Sequence, residues 1–222
     1  MANIESYVQP RRLYRYRSLK DLDREMDAIK SGYLYCSPYM NLNDPMEGLF
    51  TSSRLLKESA DYRAIRAAIR DNKARIGVCS FSEVYDHELM WAHYADQFQG
   101  ICVAYSLTLL LKALGDDVSF VRMYYDEMVP TIYRTNKDSI QLAKMVLSYK
   151  NYKWLYEREW RMFAGLGKAY YHDRACVTRV YLGSRIEPDD RKRVVNALKR
   201  LRIETRDMSI DKYFISFEDT DS

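Results

Sequence analysis

Three short runs hold the residue types that ribose, phosphate and acid/base chemistry use: Glu157-Arg158-Glu159, Ser80-Phe81-Ser82 and Arg15-Tyr16-Arg17. The glutamates stand between aromatics, in Trp154-Leu155-Tyr156-Glu157-Arg158-Glu159-Trp160-Arg161, a poor setting for a merely solubilising charge. That charge must be held by a partner or used on a ligand. On a strand, Glu157 and Glu159 would share one face, because side chains alternate with period two. Two carboxylates so placed raise each other's pKa, which suits acid/base work, or jointly hold a ribose or a cation. The structural alternative packs Trp154, Tyr156 and Trp160 and pairs the glutamates with Arg158, Arg161 or other arginines. Spacing alone leaves both open.

Arg15 and Arg17 also fall on one face of a strand, and the planar guanidinium fork matches phosphate oxygens in pairs. They serve equally well as structural partners of the glutamates. Ser80 and Ser82 offer two hydroxyls on one face for a ribose or carboxylate, or simply close a strand. His93, within Trp91-Ala92-His93-Tyr94, is a candidate donor or base because an imidazole titrates near neutrality; a packed histidine is the alternative. The three histidines and four cysteines show no metal-ligand spacing, so no metal is expected. No G-x-S-x-G nucleophile motif occurs.

The elements that must position these residues follow from periodicity. Arg11 to Arg17 alternates as a strand, and Leu19, Leu22, Met26 and Ile29 mark a helix face that Gly32 stops. Tyr33 to Cys36 is a strand. From Ser37 to Gly48, Asn43-Asp44-Pro45 and its neighbours predict a rigid loop whose Asn and Asp side chains bond their own backbone. Helices are expected over 55–70, 87–95, 107–114, 136–150 (capped by Asn136) and 188–201. Strands are expected over 75–81, 101–105, 118–125, 160–164, 176–182 and 210–217. Strict strand-helix alternation is not sustained and no glycine-rich phosphate loop follows a strand. The class is therefore α+β. We expect one domain over 1–222, with an extension over 1–10, a core over 11–217 and a tail over 218–222.

The 222 residues include 20 tyrosines, and net charge is +4 with acidic and basic residues intermixed. Tyrosine needs a partner for its hydroxyl when buried, so it suits clefts as well as cores. The mixed charge favours a solvated surface over a phosphate-binding stripe. Four scattered cysteines outside any CxxC pair suggest reduced thiols. With no apolar signal core and no long apolar run, a cytoplasmic protein without membrane contact is expected.

Six ordered runs carry a resemblance. Leu13-Tyr14-Arg15-Tyr16-Arg17, Asn43-Asp44-Pro45-Met46-Glu47, Cys79-Ser80-Phe81-Ser82, Met90-Trp91-Ala92-His93-Tyr94-Ala95, Gly100-Ile101-Cys102 and Tyr156-Glu157-Arg158-Glu159-Trp160-Arg161 resemble motifs of a widespread bacterial domain family of unknown function. Members of that family include proteins associated with abortive infection and phage defence. More loosely, Arg15 or Arg17, then Ser80 and Ser82, then Glu157 and Glu159 resemble the arginine, S-x-S and E-x-E order of ADP-ribosyltransferases. Phe81 stands where that pattern usually has threonine.

The looser resemblance implies a strongly bent, mainly antiparallel sheet flanked by helices, and NAD as substrate. Arg15, with Arg17, would hold the NAD phosphates. Ser80, with Ser82, would orient the nicotinamide ribose, and Tyr94 or Tyr39 would stack on the nicotinamide. Glu159 would bond the ribose hydroxyl and stabilise the oxocarbenium-like state, with Glu157 orienting a protein or nucleic-acid acceptor. Asn43 and Asp44 would form one wall of the cleft. Two alternatives stand beside a defence or stress enzyme: a non-catalytic regulatory or interaction protein, and a nucleotide or nucleic-acid binding protein.

Overall fold

Alternating arginines and apolar residues form strand β1 (Arg12–Arg17) in the computed structural model, which describes residues 9–135 and 137–220. Helix α1 (Leu22–Ser31) starts where Asp21 accepts from the Arg24 amide and ends at Gly32, in the left-handed conformation. Strand β2 (Tyr33–Pro38) leads into the Asn- and Pro-rich loop, and β3 (Thr51–Ser52) follows it. The single helix expected over 55–70 is two, α2 (Arg54–Lys57) and α3 (Tyr62–Arg75). They part where the Ser59 hydroxyl donates to the Leu56 carbonyl.

Strand β4 (Gly77–Ser82), helix α4 (Glu88–Tyr94), strand β5 (Ile101–Ser106) and helix α5 (Leu107–Ala113) come next. The strand expected over 118–125 is broken into β6 (Ser119–Arg122) and β7 (Tyr124–Asp126), followed by β8 (Thr131–Ile132). Helix α6 (Ser139–Val146) is capped by Asp138; Asn136, the expected cap, lies outside the described residues. The chain then extends as β9 (Tyr149–Asn151), turns through a 3-10 helix (Tyr152–Glu157) and continues as β10 (Glu159–Ala164). Strand β11 (Gly167–Tyr170) was not foreseen. Last come β12 (Val177–Leu182), α7 (Pro188–Arg200) and the hairpin β13 (Glu204–Asp211) and β14 (Phe214–Asp219). Of the expected extension only 9 and 10 are described, and of the tail only 218–220.

The fold is mixed α+β with mainly antiparallel strands flanked by helices. The described residues fall into two compact units that alternate along the chain. The first takes 9–32, 82–114 and 171–220. Its strands run in the order β1-β5-β12-β13-β14, antiparallel except for the parallel β12–β13 pair. Ser82, the last residue of β4, belongs here and pairs with Tyr14. Leu13, Ile101, Val180, Leu182, Val194 and Leu198 are buried in its core.

The second unit takes 33–81 and 115–170. Strand β2 lies between β11 and β4, β10 pairs with β4, and β6 pairs with β10. Two short parallel pairs, β3–β8 and β7–β9, stand apart. Its core packs Leu56 and Ile69 from the helices against Val78, Ile132, Val146 and Phe163. Cys36, Cys79, Cys102 and Cys176 are buried, in keeping with the sequence. No helix among the described residues is long and apolar enough to cross a membrane.

Candidate functional site

In the second unit, Glu159 and Arg161 stand two apart on β10 and share a face. Glu157 reaches them by a different route. It ends the 3-10 helix, and Arg158 then takes the left-handed conformation, with φ 46° and ψ 49°. The strand geometry that would put both glutamates on one face does not occur: a turn, not strand periodicity, aims them at a common partner. That partner is Lys150 on β9, whose Nζ is 2.5 Å from Glu157 Oε2 and 3.0 Å from Glu159 Oε2.

Glu157 and Glu159 are each 3% exposed and Arg161 1%. Arg161 donates Nε to Glu159 Oε1 at 2.8 Å and Nη2 to Glu159 Oε2 at 3.2 Å. Its Nη1 and Nη2 also donate to Glu47 Oε2 and Oε1 at 2.9 and 2.6 Å, and Nη1 to the Leu147 carbonyl at 2.7 Å. All five guanidinium N–H groups are therefore satisfied. Lys150 also approaches Glu47 at 3.8 Å and sits 4.9 Å from the centre of the Trp154 ring. Three carboxylates against two cations leave one net negative charge in this buried cluster.

The electrostatics follow from that pairing. Burial opposes the charged form of Glu159, but Arg161, Lys150 and hydrogen bonds from Arg161 and Ser80 outweigh it and bring its pKa down to about 2. Burial likewise opposes the charge on Lys150, and Glu159 and Glu157 reverse the effect, leaving it above its ordinary value. The pairing thus favours the ionised form of Glu159 at neutral pH. An ionised carboxylate has about four acceptor positions. The two Arg161 donors, Lys150 and the Ser80 hydroxyl account for them.

Glu47 and Lys150 are the members of the network that line a surface recess of about 150 Å³, together with Asp44, Asp126, Glu127 and Tyr149. Asp44 shapes its rim: its Oδ1 accepts from the Met46 amide at 2.9 Å and its carbonyl from the Glu47 amide at 3.1 Å. The loop is self-bonded as its Asn and Asp content predicts. Asn43 is exposed. Tyr39 lies 4.8 Å from the ammonium of Lys73 and lines a separate groove.

The remaining expected site residues belong to the first unit. Arg17 is engaged by Glu25, through Nε at 2.7 Å and Nη2 at 2.6 Å. Arg15 is half-buried on the same strand. Ser82 is buried and accepts from the Val84 amide. His93 is exposed, with the Tyr94 ring edge-on beside it. The structure therefore brings Ser80, Glu157 and Glu159 together in one unit, with the Asp44 loop beside the same network, and holds Arg15, Arg17, Ser82, His93 and Tyr94 in the other.

A family model described as "Protein of unknown function (DUF2971)" matches residues 90–162. The DUF2971 match runs from Met90 to Met162 and takes in His93, Tyr94, Lys150, Glu157, Glu159 and Arg161. It supports the likeness to a domain family of unknown function. No curated protein and no solved structure matches the chain.

Two members of the network, Lys150 and Glu47, escaped the sequence reading. Each carried a signal. Lys150 lies in Tyr149-Lys150-Asn151-Tyr152-Lys153-Trp154, a lysine among aromatics that mirrors the glutamates in sign. Glu47 closes the Asn43-Asp44-Pro45 turn directly before Gly48, where a rigid loop turns inward.

Proposed function

We propose that this chain is a non-catalytic binding protein of regulatory kind, in which Glu47, Lys150, Glu157, Glu159 and Arg161 lock the loops that carry its binding surface. One observation carries this: the carboxylate of Glu159 is buried and its acceptor positions are taken by Arg161, Lys150 and Ser80. A ribose hydroxyl would have to displace Ser80, Lys150 or Arg161, and each exchange gives up a hydrogen bond to a charged group, worth about 1.5 to 3 kcal/mol. The defence setting of the resembling bacterial domains suits a regulatory component.

A transferase-like enzyme is the second reading, and it is favoured by one contact. The Ser80 hydroxyl bonds Glu159, so a serine of the S-x-S run meets a glutamate of the E-x-E run, as the resemblance implies. NAD would then be the substrate, with a protein or nucleic acid as acceptor. Incubation with labelled NAD and cell lysate separates the two. We expect no nicotinamide release, no transferred label and no NAD affinity by calorimetry. Turnover that disappears in a folded Glu159→Gln variant would overturn the non-catalytic reading.

A further inference from the structure

Helix α3 presents Arg63, Arg66, Arg70 and Lys73 at spacings of three, four and three residues, which places them on one helical face over about 15 Å of axis. They line a groove of about 630 Å³ with Tyr39, Phe50 and Tyr62, and no lining residue is acidic. Arg66 lies 5.7 Å from the ring centres of both Phe50 and Tyr62. Lys73 is 6% exposed, donates to the Gly48 carbonyl at 2.5 Å and sits 4.8 and 5.4 Å from the Tyr39 and Phe50 rings.

Such a row is unusual for a solvated helix face. Like charges three and four apart destabilise a helix, and acidic residues normally intervene. Among the described residues Arg63 and Arg66 have no carboxylate partner, Arg70 has only an exposed 3.4 Å contact with its neighbour Asp71, and Lys73 has none. An anion in the groove would relieve that repulsion. The three rings are half-buried, packed against the core while they line the groove. They can receive flat groups that enter it, whereas bases held in a duplex cannot leave their stack to do so.

We propose that this groove binds single-stranded nucleic acid, the arginine row holding successive backbone phosphates and the rings of Tyr39, Phe50 and Tyr62 receiving bases. A cationic groove interleaved with stacking rings is the general solution for unpaired strands. The proposal does not depend on whether Glu159 is catalytic, since no member of the ion network lines the groove.

Fluorescence anisotropy with labelled single-stranded RNA and DNA of about 12 nucleotides tests it. Binding should weaken with salt at a log-log slope of about −2, the value for three phosphate contacts on a single strand. The Arg63→Ala/Arg66→Ala/Arg70→Ala variant should bind at least about tenfold more weakly and lose most of that slope. Tyr62→Ala should weaken binding about tenfold with the slope unchanged. Thermal unfolding checks that each variant is folded, and Arg63→Glu, exposed and outside the ring contacts, replaces the triple variant if that fails. No binding at low salt, a folded arginine variant that binds as wild type, or equal competition by duplex or inorganic tripolyphosphate would overturn the proposal.

Discussion

Arg161 and Glu47 lie 114 residues apart in the chain and meet side by side, with Nη1 2.9 Å from Oε2 and Nη2 2.6 Å from Oε1. The pair ties the loop that follows Asn43-Asp44-Pro45 to strand β10. Because both groups are buried, removing Glu47 leaves two Arg161 N–H groups without an acceptor, and Glu159 alone then faces the guanidinium as counter-charge. Glu47→Ala should lower unfolding stability by about 3 to 5 kcal/mol, measured as the shift in urea midpoint at constant slope. A shift below about 1 kcal/mol would show that the pair is screened by solvent and holds nothing in place.

Acid should release the lock in a defined window. The depressed pKa of Glu159 gives stability that is present above its ordinary value of 4.5 and lost as pH falls through about 2. The urea midpoint of the wild type should fall across that range as Arg161 and Lys150 lose one of their counter-charges. Lys150→Met should behave with the opposite sign. Glu159 then shares a buried space with Glu157 and one cation fewer, its pKa rises, and the stability difference from wild type grows as pH increases through the carboxylate range. A difference that stays constant with pH would contradict this.

Gly48 ends the same loop. It adopts φ 71°, and an added Cβ would stand 3.2 Å from Lys73 Nζ and 3.3 Å from both Leu147 Cδ2 and Tyr39 Cδ2. Gly48→Ala should cost about 1 to 2 kcal/mol from the left-handed backbone alone, with more from these contacts. Since Gly48 also accepts from Lys73, nucleic-acid binding in the groove should weaken with it. Unchanged thermal stability would mean that the loop repacks freely.

Much of this was legible in the sequence. The α+β class, β1, α1 with its Gly32 stop, β5, α5 and α7 follow from period and capping residues, because there local preference and tertiary burial agree. The Asn43-Asp44-Pro45 loop was legible for the same reason. The geometry around Glu157 was not, because Arg158 takes a left-handed conformation that sequences usually mark with glycine or asparagine. Lys150 looked like the end of a helix, yet β7 pairs with it as strand β9, a contact between segments that no local pattern encodes. Strand β11 was hidden by Gly165 and Gly167, which read as a break. Glu47 stands in a recognisable motif, yet nothing local assigns it a role, since its partners on β9 and β10 lie over a hundred residues away.

On the proposed reading Glu159 is held by the fold and is not poised for a substrate. Equilibrium urea unfolding of Glu159→Gln against wild type near neutral pH tests it most directly. A neutral amide of the same shape leaves Glu47 to Arg161 and Glu157 to Lys150 as counter-charges but turns one acceptor oxygen into an NH2 that faces their N–H donors, so a loss of about 1 to 3 kcal/mol with no change in slope is expected. A variant as stable as wild type, or more stable, as expected of a carboxylate kept in place for chemistry at the expense of stability, would contradict it.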